Sequence, residues 1–286
     1  MERQITDEKI EQFRMAMYED EKQSSTIRKY VRDIRKLQEF LQGRDLDKEM
    51  LILYKAYLKD SGRYKTRSIN SFLAAVNHFC EKMGWDELRI KTIRVQEEAF
   101  CPENKDLSKK EYQQLIRTAE QSGNEKLALV MQTIGSTGIR VSELQYITVE
   151  SLRQGMAEIY NKGKVRRILY PSKLCRVLMK YTKKHGIKSG AVFCTRTGKP
   201  LHRTTVWRMM KQLCEKAGVD KEKVFPHNLR HLFAKCFYQI KKDIAKLADV
   251  LGHSNIETIR IYIRSTGEEH KRQLDQMEMV LATYSI

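Results

Sequence analysis

Apolar residues return every three or four positions through most of the first hundred residues, the spacing of one face of an α-helix. Ile10, Phe13 and Met17 mark a first helix. Ile27, Tyr30, Val31, Ile34, Leu37 and Leu41 mark a second, with Ser24-Ser25-Thr26 offering its N-cap. Leu51, Tyr54, Tyr57 and Leu58 fall on one face of a third. Ile69, Phe72, Leu73, Val76, Phe79, Cys80 and Met83 line a fourth, which opens at Thr66 and stops at Gly84. This pattern predicts a small four-helix domain over residues 1–94. It lapses over 95–105, where Pro102 appears, and that segment reads as a linker.

A second domain is expected over 106–286. Ser108 and Glu111 have the S-x-x-E spacing of a capping box, ahead of Leu115, Ile116 and Ala119. The next helix carries Leu127, Val130, Met131 and Ile134 and stops near Gly135–Gly138. The period then changes to two: Met156–Tyr160 and Arg166–Tyr170 alternate on either side of Asn161-Lys162-Gly163-Lys164, which predicts a β-hairpin. Helical spacing resumes near 172–185, 203–217, 227–240, 243–251 and 256–263, and a last amphipathic stretch spans 268–283. The fold class is mainly α with a small antiparallel β-sheet, a helical domain followed by a mixed α+β one.

Charge sharpens this picture more than composition does. The 286 residues carry a formal net charge of +18. Residues 1–105 hold 21 basic and 19 acidic side chains, whereas 106–286 hold 33 and 17. From Ile159 to Cys214 there are 15 Lys and Arg and no Asp or Glu. Solvated helix faces mix signs, because like charges repel, so a long single-sign stretch implies a polyanionic partner such as a phosphate backbone. Lys164, Arg166, Arg167 and Arg203 in that stretch are candidate phosphate contacts. Arg63, Lys65 and Arg67, around a helix N-terminus, are candidates in the first domain. No apolar run reaches the length of a membrane span, and the polar opening residues lack a signal-peptide core. The six cysteines form no CxxC, so neither a zinc site nor a disulfide scaffold is expected, and reduced thiols in a cytoplasm are.

Three segments carry candidate chemistry. Thr137-Gly-Ile-Arg-Val-Ser-Glu-Leu144 puts Arg140 at a glycine-initiated helix start. His227-Asn-Leu-Arg-His231 follows Pro226, so His227 and Arg230 share a face on a first turn. Leu251-Gly-His-Ser254 ends a helix, and Tyr262 follows. Each segment alone has an ordinary structural explanation. Together they resemble the tyrosine recombinase (phage integrase) family, whose signature is an Arg in TGxRxxEL, a hairpin Lys, HxxR, a His or Trp after LG, and a nucleophilic Tyr. The resemblance spans nearly the whole chain and is to the Xer-like members, with no arm-binding domain expected ahead of residue 1.

That resemblance implies a helical core-binding (SAM-like) domain, then a catalytic domain of the DNA breaking-rejoining fold with an exchange segment at about 268–286. It implies a site-specific DNA recombinase that breaks and rejoins DNA through a 3′-phosphotyrosine and a Holliday junction. By position, Tyr262 is the nucleophile, His227 the general acid/base, Arg140 and Arg230 the phosphate clamp, and His253 a further donor. Lys162, the residue before Gly163, matches the leaving-group lysine, with Lys164 the alternative because the hairpin departs from the family pattern. Glu143 is expected to orient Arg140, or to be an exposed helix charge, and His231 to be structural support. No metal is implied, since the candidate site holds Arg, Lys, His and Tyr with Glu143 as its one acid, and no high-energy cofactor, since the phosphotyrosyl bond conserves the energy needed for rejoining. Expected partners are double-stranded DNA with specific core sites, a homotetramer on that DNA, and accessory directionality proteins. Two other readings stay open: a type IB topoisomerase-like nicking-closing enzyme, and a catalytically silent DNA-binding relative. The tail is expected to dock on a neighbouring protomer or to fold back on its own.

Overall fold

A computed structural model describes residues 3–95, 106–161, 164–195, 197–252, 259, 262, 271, 272 and 274–277. The chain divides into two compact units, Met1–Glu97 and Glu98–Ile286.

The first unit contains α1 (Asp7–Glu19), α2 (Ser24–Leu41), α3 (Lys48–Asp60) and α4 (Thr66–Lys82). Their apolar stripes meet in one core around Phe13, Met17, Ile34, Leu37, Leu51, Leu73 and Phe79, all fully buried. Two details differ from expectation. The N-cap of α2 is Gln23, which makes no side-chain cap bond, and Ser24 is already the first helical residue. Tyr57 is 53% exposed. Leu51, Tyr54 and Leu58 form the inward i, i+3, i+7 stripe of α3, and Tyr57 lies beside it, its ring 5.2 Å from Phe40. The end of the unit is tied back by two amides seven residues apart on α4. Asn77 exchanges both hydrogen bonds with the main chain of Ile90, at 2.8 and 2.9 Å. Asn70 does the same with Ile93, both at 2.8 Å.

The second unit opens with α5 (Lys109–Gln121), whose capping box between Ser108 and Glu111 is formed, and α6 (Glu125–Thr137). A 3₁₀ turn over Val141–Tyr146 and the short helix α7 (Val149–Gln154), capped by the Thr148 hydroxyl, lead into the sheet. The helix start expected at Arg140 is thus a 3₁₀ segment, and α7 was not indicated, because six residues are too few to establish a stripe. Strands β1 (Met156–Asn161) and β2 (Lys164–Leu169) pair antiparallel, and the pairing of Asn161 with Lys164 shortens the expected four-residue loop. Then follow α8 (Ser172–Lys184), α9 (Arg203–Ala217), α10 (Pro226–Lys241) and α11 (Ile244–Leu251). The main core is built on α5, α6, the inner face of the hairpin, α8 and α9. A smaller cluster joins α10 and α11 to Ile259 and Tyr262. The chain is thus mainly α-helical with one two-stranded antiparallel sheet. Most of the segments expected to be helical at 256–263 and 268–283 lie outside the described residues, although Ile259 and Tyr262 are helical. No helix among the described residues is long and apolar enough to cross a membrane.

Candidate active site

The site is assembled where α6, α10 and α11 end or begin close together. At the end of α6, the Thr137 hydroxyl donates to the Thr133 carbonyl at 2.6 Å. Gly138 then turns the chain with φ +68°, a conformation that disfavours any residue with a Cβ. There is also no room for one: a Cβ on Gly138 would lie 2.4 Å from Phe233 Cδ1 and 2.9 Å from Leu251 Cδ2. The turn delivers Arg140 as the residue before the 3₁₀ segment.

Glu143, 3% exposed, folds back onto Arg140. Its Oε2 accepts from the Arg140 backbone N–H at 2.7 Å, and its Oε1 accepts from Arg140 Nη1 at 3.1 Å. Glu143 is therefore a buried partner of Arg140, not an exposed helix charge. Arg140 retains 35% side-chain exposure.

Pro226 starts α10 in the position where a missing N–H costs nothing, and places His227 and Arg230 on one face. Arg230 is 1% exposed. Its Nη1 donates to the Gly138 carbonyl at 2.5 Å and its Nη2 to the Leu251 carbonyl at 2.7 Å. One guanidinium thus fastens the α6 turn to the end of α11. Burial, and then the nearby Arg140 charge, push its pKa down to about 10, while the Tyr262 hydroxyl partly offsets them.

Three rings gather beside it. His227 and Tyr262 have centroids 5.5 Å apart, His231 and Tyr262 4.3 Å, and His227 and His231 4.9 Å. Burial, then the charges of Arg230 and Arg140, hold the His227 pKa below 6.5, so its neutral form prevails near pH 7. Burial and the neighbouring His227 push His231 down to about 4, against an opposing pull from Asp106. A neutral imidazole beside a phenol can accept its proton, and two guanidinium groups nearby supply positive charge that suits an anion.

Arg140, Glu143, His227, Arg230, His231 and Tyr262 are brought together by this arrangement. Lys162 and His253 lie outside the described residues. Lys164 pairs with Asn161 through the main chain. Arg63, Lys65, Arg67, Arg167 and Arg203 are exposed. Arg166 is not: it is turned inward, with Nη2 donating to Glu143 at 2.5 Å and Nη1 to the Val250 carbonyl at 3.0 Å. The basic stretch conceals this inward turn, although strand alternation carries the signal. Arg166 and the buried Ile168 are two apart and so share the inner face of β2. Among the described residues no three His, Cys, Asp or Glu gather as a metal-binding group.

The sequence profile of the phage integrase family matches residues 105–269, and that of the phage integrase N-terminal SAM-like domain matches residues 10–83. The chain belongs to the phage integrase family. This is a family of tyrosine recombinases, and curated relatives bear that name. Tyrosine recombinase XerA of Pyrococcus furiosus is 28% identical over 286 residues, covering 98% of this chain and 97% of its own. Tyrosine recombinase XerD of Halalkalibacterium halodurans is 28% identical over 268 residues, covering 85% and 88%. Among solved structures, XerH bound to a palindromic difH substrate in a post-cleavage complex aligns with a TM-score of 0.71 at 20% identity, covering 88% of this chain and 80% of that one. A lambda integrase tetramer bound to a Holliday junction aligns with a TM-score of 0.72 at 17% identity, covering 91% and 77%. At these identities the structures speak for the fold. This integrase-family chain therefore has a SAM-like helical domain followed by the catalytic fold of tyrosine recombinases.

Proposed function

We propose that this protein is a site-specific DNA recombinase in which Tyr262 attacks the scissile phosphate. The reading rests above all on one observation: the Tyr262 ring lies beside His227 and its hydroxyl meets Arg230, the residues that the family motifs assign to proton transfer and phosphate binding. In the proposed step the Tyr262 oxygen bonds to phosphorus and the bond to the 5′-oxygen breaks. The Tyr262 phenol, a weak nucleophile while protonated, loses its proton to neutral His227. Arg140 and Arg230 neutralise the non-bridging oxygens as charge builds on them, with His253 adding a hydrogen bond. Lys162 (or Lys164) protonates the departing 5′-oxygen. One phosphodiester is exchanged for a phosphotyrosyl ester, so attack by a 5′-hydroxyl reverses the step without ATP.

The substrate class is double-stranded DNA with specific core sites. The relatives of known structure were seen bound to difH DNA and, as a tetramer, to a Holliday junction, and the same assembly is proposed for this chain. Partners that set direction, the exchange role of 268–286 and a cytoplasmic location belong to the same proposal. Incubation with a nicked duplex carrying the core site is expected to trap a covalent protein–DNA adduct, which Tyr262→Phe abolishes. An adduct that survives this substitution overturns the assignment. Relaxation of arbitrary supercoiled plasmids without joined product would favour a topoisomerase. With DNA below saturation, the acidic limb of the rate–pH profile is expected below pH 6.5, because burial and two arginines lower the His227 pKa in the free protein.

A further inference from the structure

Arg166 sits where a strand residue ought to be apolar. It pairs across the ladder with Ile159, which is 1% exposed, and shares its face of β2 with Ile168, which is 4% exposed. Its side chain is only 14% exposed. A guanidinium in such a place is costly unless its N–H groups are bonded. Two of its nitrogens are: Nη2 reaches Glu143 Oε2 at 2.5 Å, and Nη1 reaches the Val250 carbonyl at 3.0 Å. The other oxygen of Glu143 holds Arg140 at 3.1 Å. The next carbonyl of α11, on Leu251, is held by Arg230 at 2.7 Å. The helix exit is thus gripped from two sides by cations, the sign its dipole favours. Gly252 completes the fit, since a Cβ there would lie 2.5 Å from Arg166 Cδ.

Resting on the recombinase reading above, we propose that Arg166 is a positioning residue rather than a phosphate contact. It sets Arg140 through Glu143, and it sets the chain that leaves α11 through the Val250 carbonyl. A phosphate would have to displace the Glu143 carboxylate, which already neutralises this guanidinium, to reach its Nη2. Without Arg166, Glu143 has Arg140 alone as its cationic partner, and the pull on Arg140 changes. Lysine is no substitute, because one ammonium lacks the planar fork that serves two acceptors set apart.

The test uses the full chain with Arg166→Gln, Arg166→Lys, Glu143→Gln and the Arg166→Gln/Glu143→Gln pair. Three quantities are read: affinity for a nicked core-site duplex across a salt series, the single-turnover rate of adduct formation at saturating DNA, and hydrogen exchange of the Leu251 and Gly252 amides relative to α5. For Arg166→Gln the salt slope is expected to stay as in the parent. The adduct rate should fall by about 10²-fold, the penalty of a small misplacement of reacting groups. The two amides should exchange about tenfold faster. Arg166→Lys should not restore the rate. A salt slope lower by about one with the saturating rate intact is the mark of a lost phosphate contact and overturns the proposal. Unchanged exchange at Leu251 and Gly252 overturns it as well. Where Arg166→Gln alone fails to fold because buried Glu143 has lost one of its two cationic partners, the paired variant removes that charge. Its amides should then exchange faster than those of Glu143→Gln alone, and equal exchange overturns the clamp. A parent protein that forms no adduct defeats the recombinase reading, while the salt and exchange measurements still decide the place of Arg166.

Discussion

Gly138 meets two demands in one residue. Its φ of +68° favours a residue without a Cβ, and a Cβ there would run into Phe233 and Leu251. Gly138→Ala is therefore expected to destabilise the protein by about 1–3 kcal/mol from crowding alone, with backbone strain added, seen as a lower denaturant midpoint. His231 gives a pH-dependent counterpart. In the folded chain it titrates at about 4, because it is buried beside His227, whereas its ordinary value is 6.5. Between pH 6.5 and 4 the unfolded chain binds a proton that the folded chain refuses, so stability falls as pH drops through this window. Thermal midpoints of the parent and of His231→Asn, measured from pH 7 to 4, should differ in slope there, with the parent the steeper.

At the scale of single elements, what the sequence revealed depended on how many residues cooperate in the signal. The helices repeat their apolar stripe, and those expected near 172–185, 203–217, 227–240 and 243–251 begin and end within one residue of those bounds. Helix starts rest on one or two side chains and were less secure. Ser108 and Glu111 form their box, and Ser108→Ala should cost about 1 kcal/mol in unfolding free energy. Ser24-Ser25-Thr26 looked equally good, yet the helix begins one residue earlier, leaving Gln23 at the cap with no side-chain bond. Gln23→Asp is accordingly expected to raise stability by about 0.5–1 kcal/mol, read from the same denaturant curves. The candidate site was legible as residue types in order, since Arg140, His227, Arg230 and Tyr262 stand in short motifs. What held them in place was not. Gly138 and Leu251 contribute through their carbonyls, which any residue possesses, and Arg166 was concealed among arginines that face outward. The strand period does separate Arg166 from the exposed Arg167, which pairs with Glu158 at 2.9 Å.

Across the whole molecule the division of charge matters more than its sum. The first 105 residues are almost neutral, whereas the remainder carries nearly all of the +18. Counterion release then governs DNA affinity, which should fall about a thousandfold or more between 50 and 200 mM salt if six or more phosphates are engaged. Fluorescence anisotropy with a core-site duplex across that range checks this, and a flat response would mean that the acid-free stretch from Ile159 to Cys214 serves something other than DNA. Tyr262 is 4% exposed, with its ring against His231 and its hydroxyl turned to Arg230. A phenol so enclosed cannot collide with a phosphodiester drifting past in solution. In the proposed mechanism, contact with DNA and the breaking of a strand are therefore two separate events, and the interval between them would spare sequences that are bound but not meant to be cut.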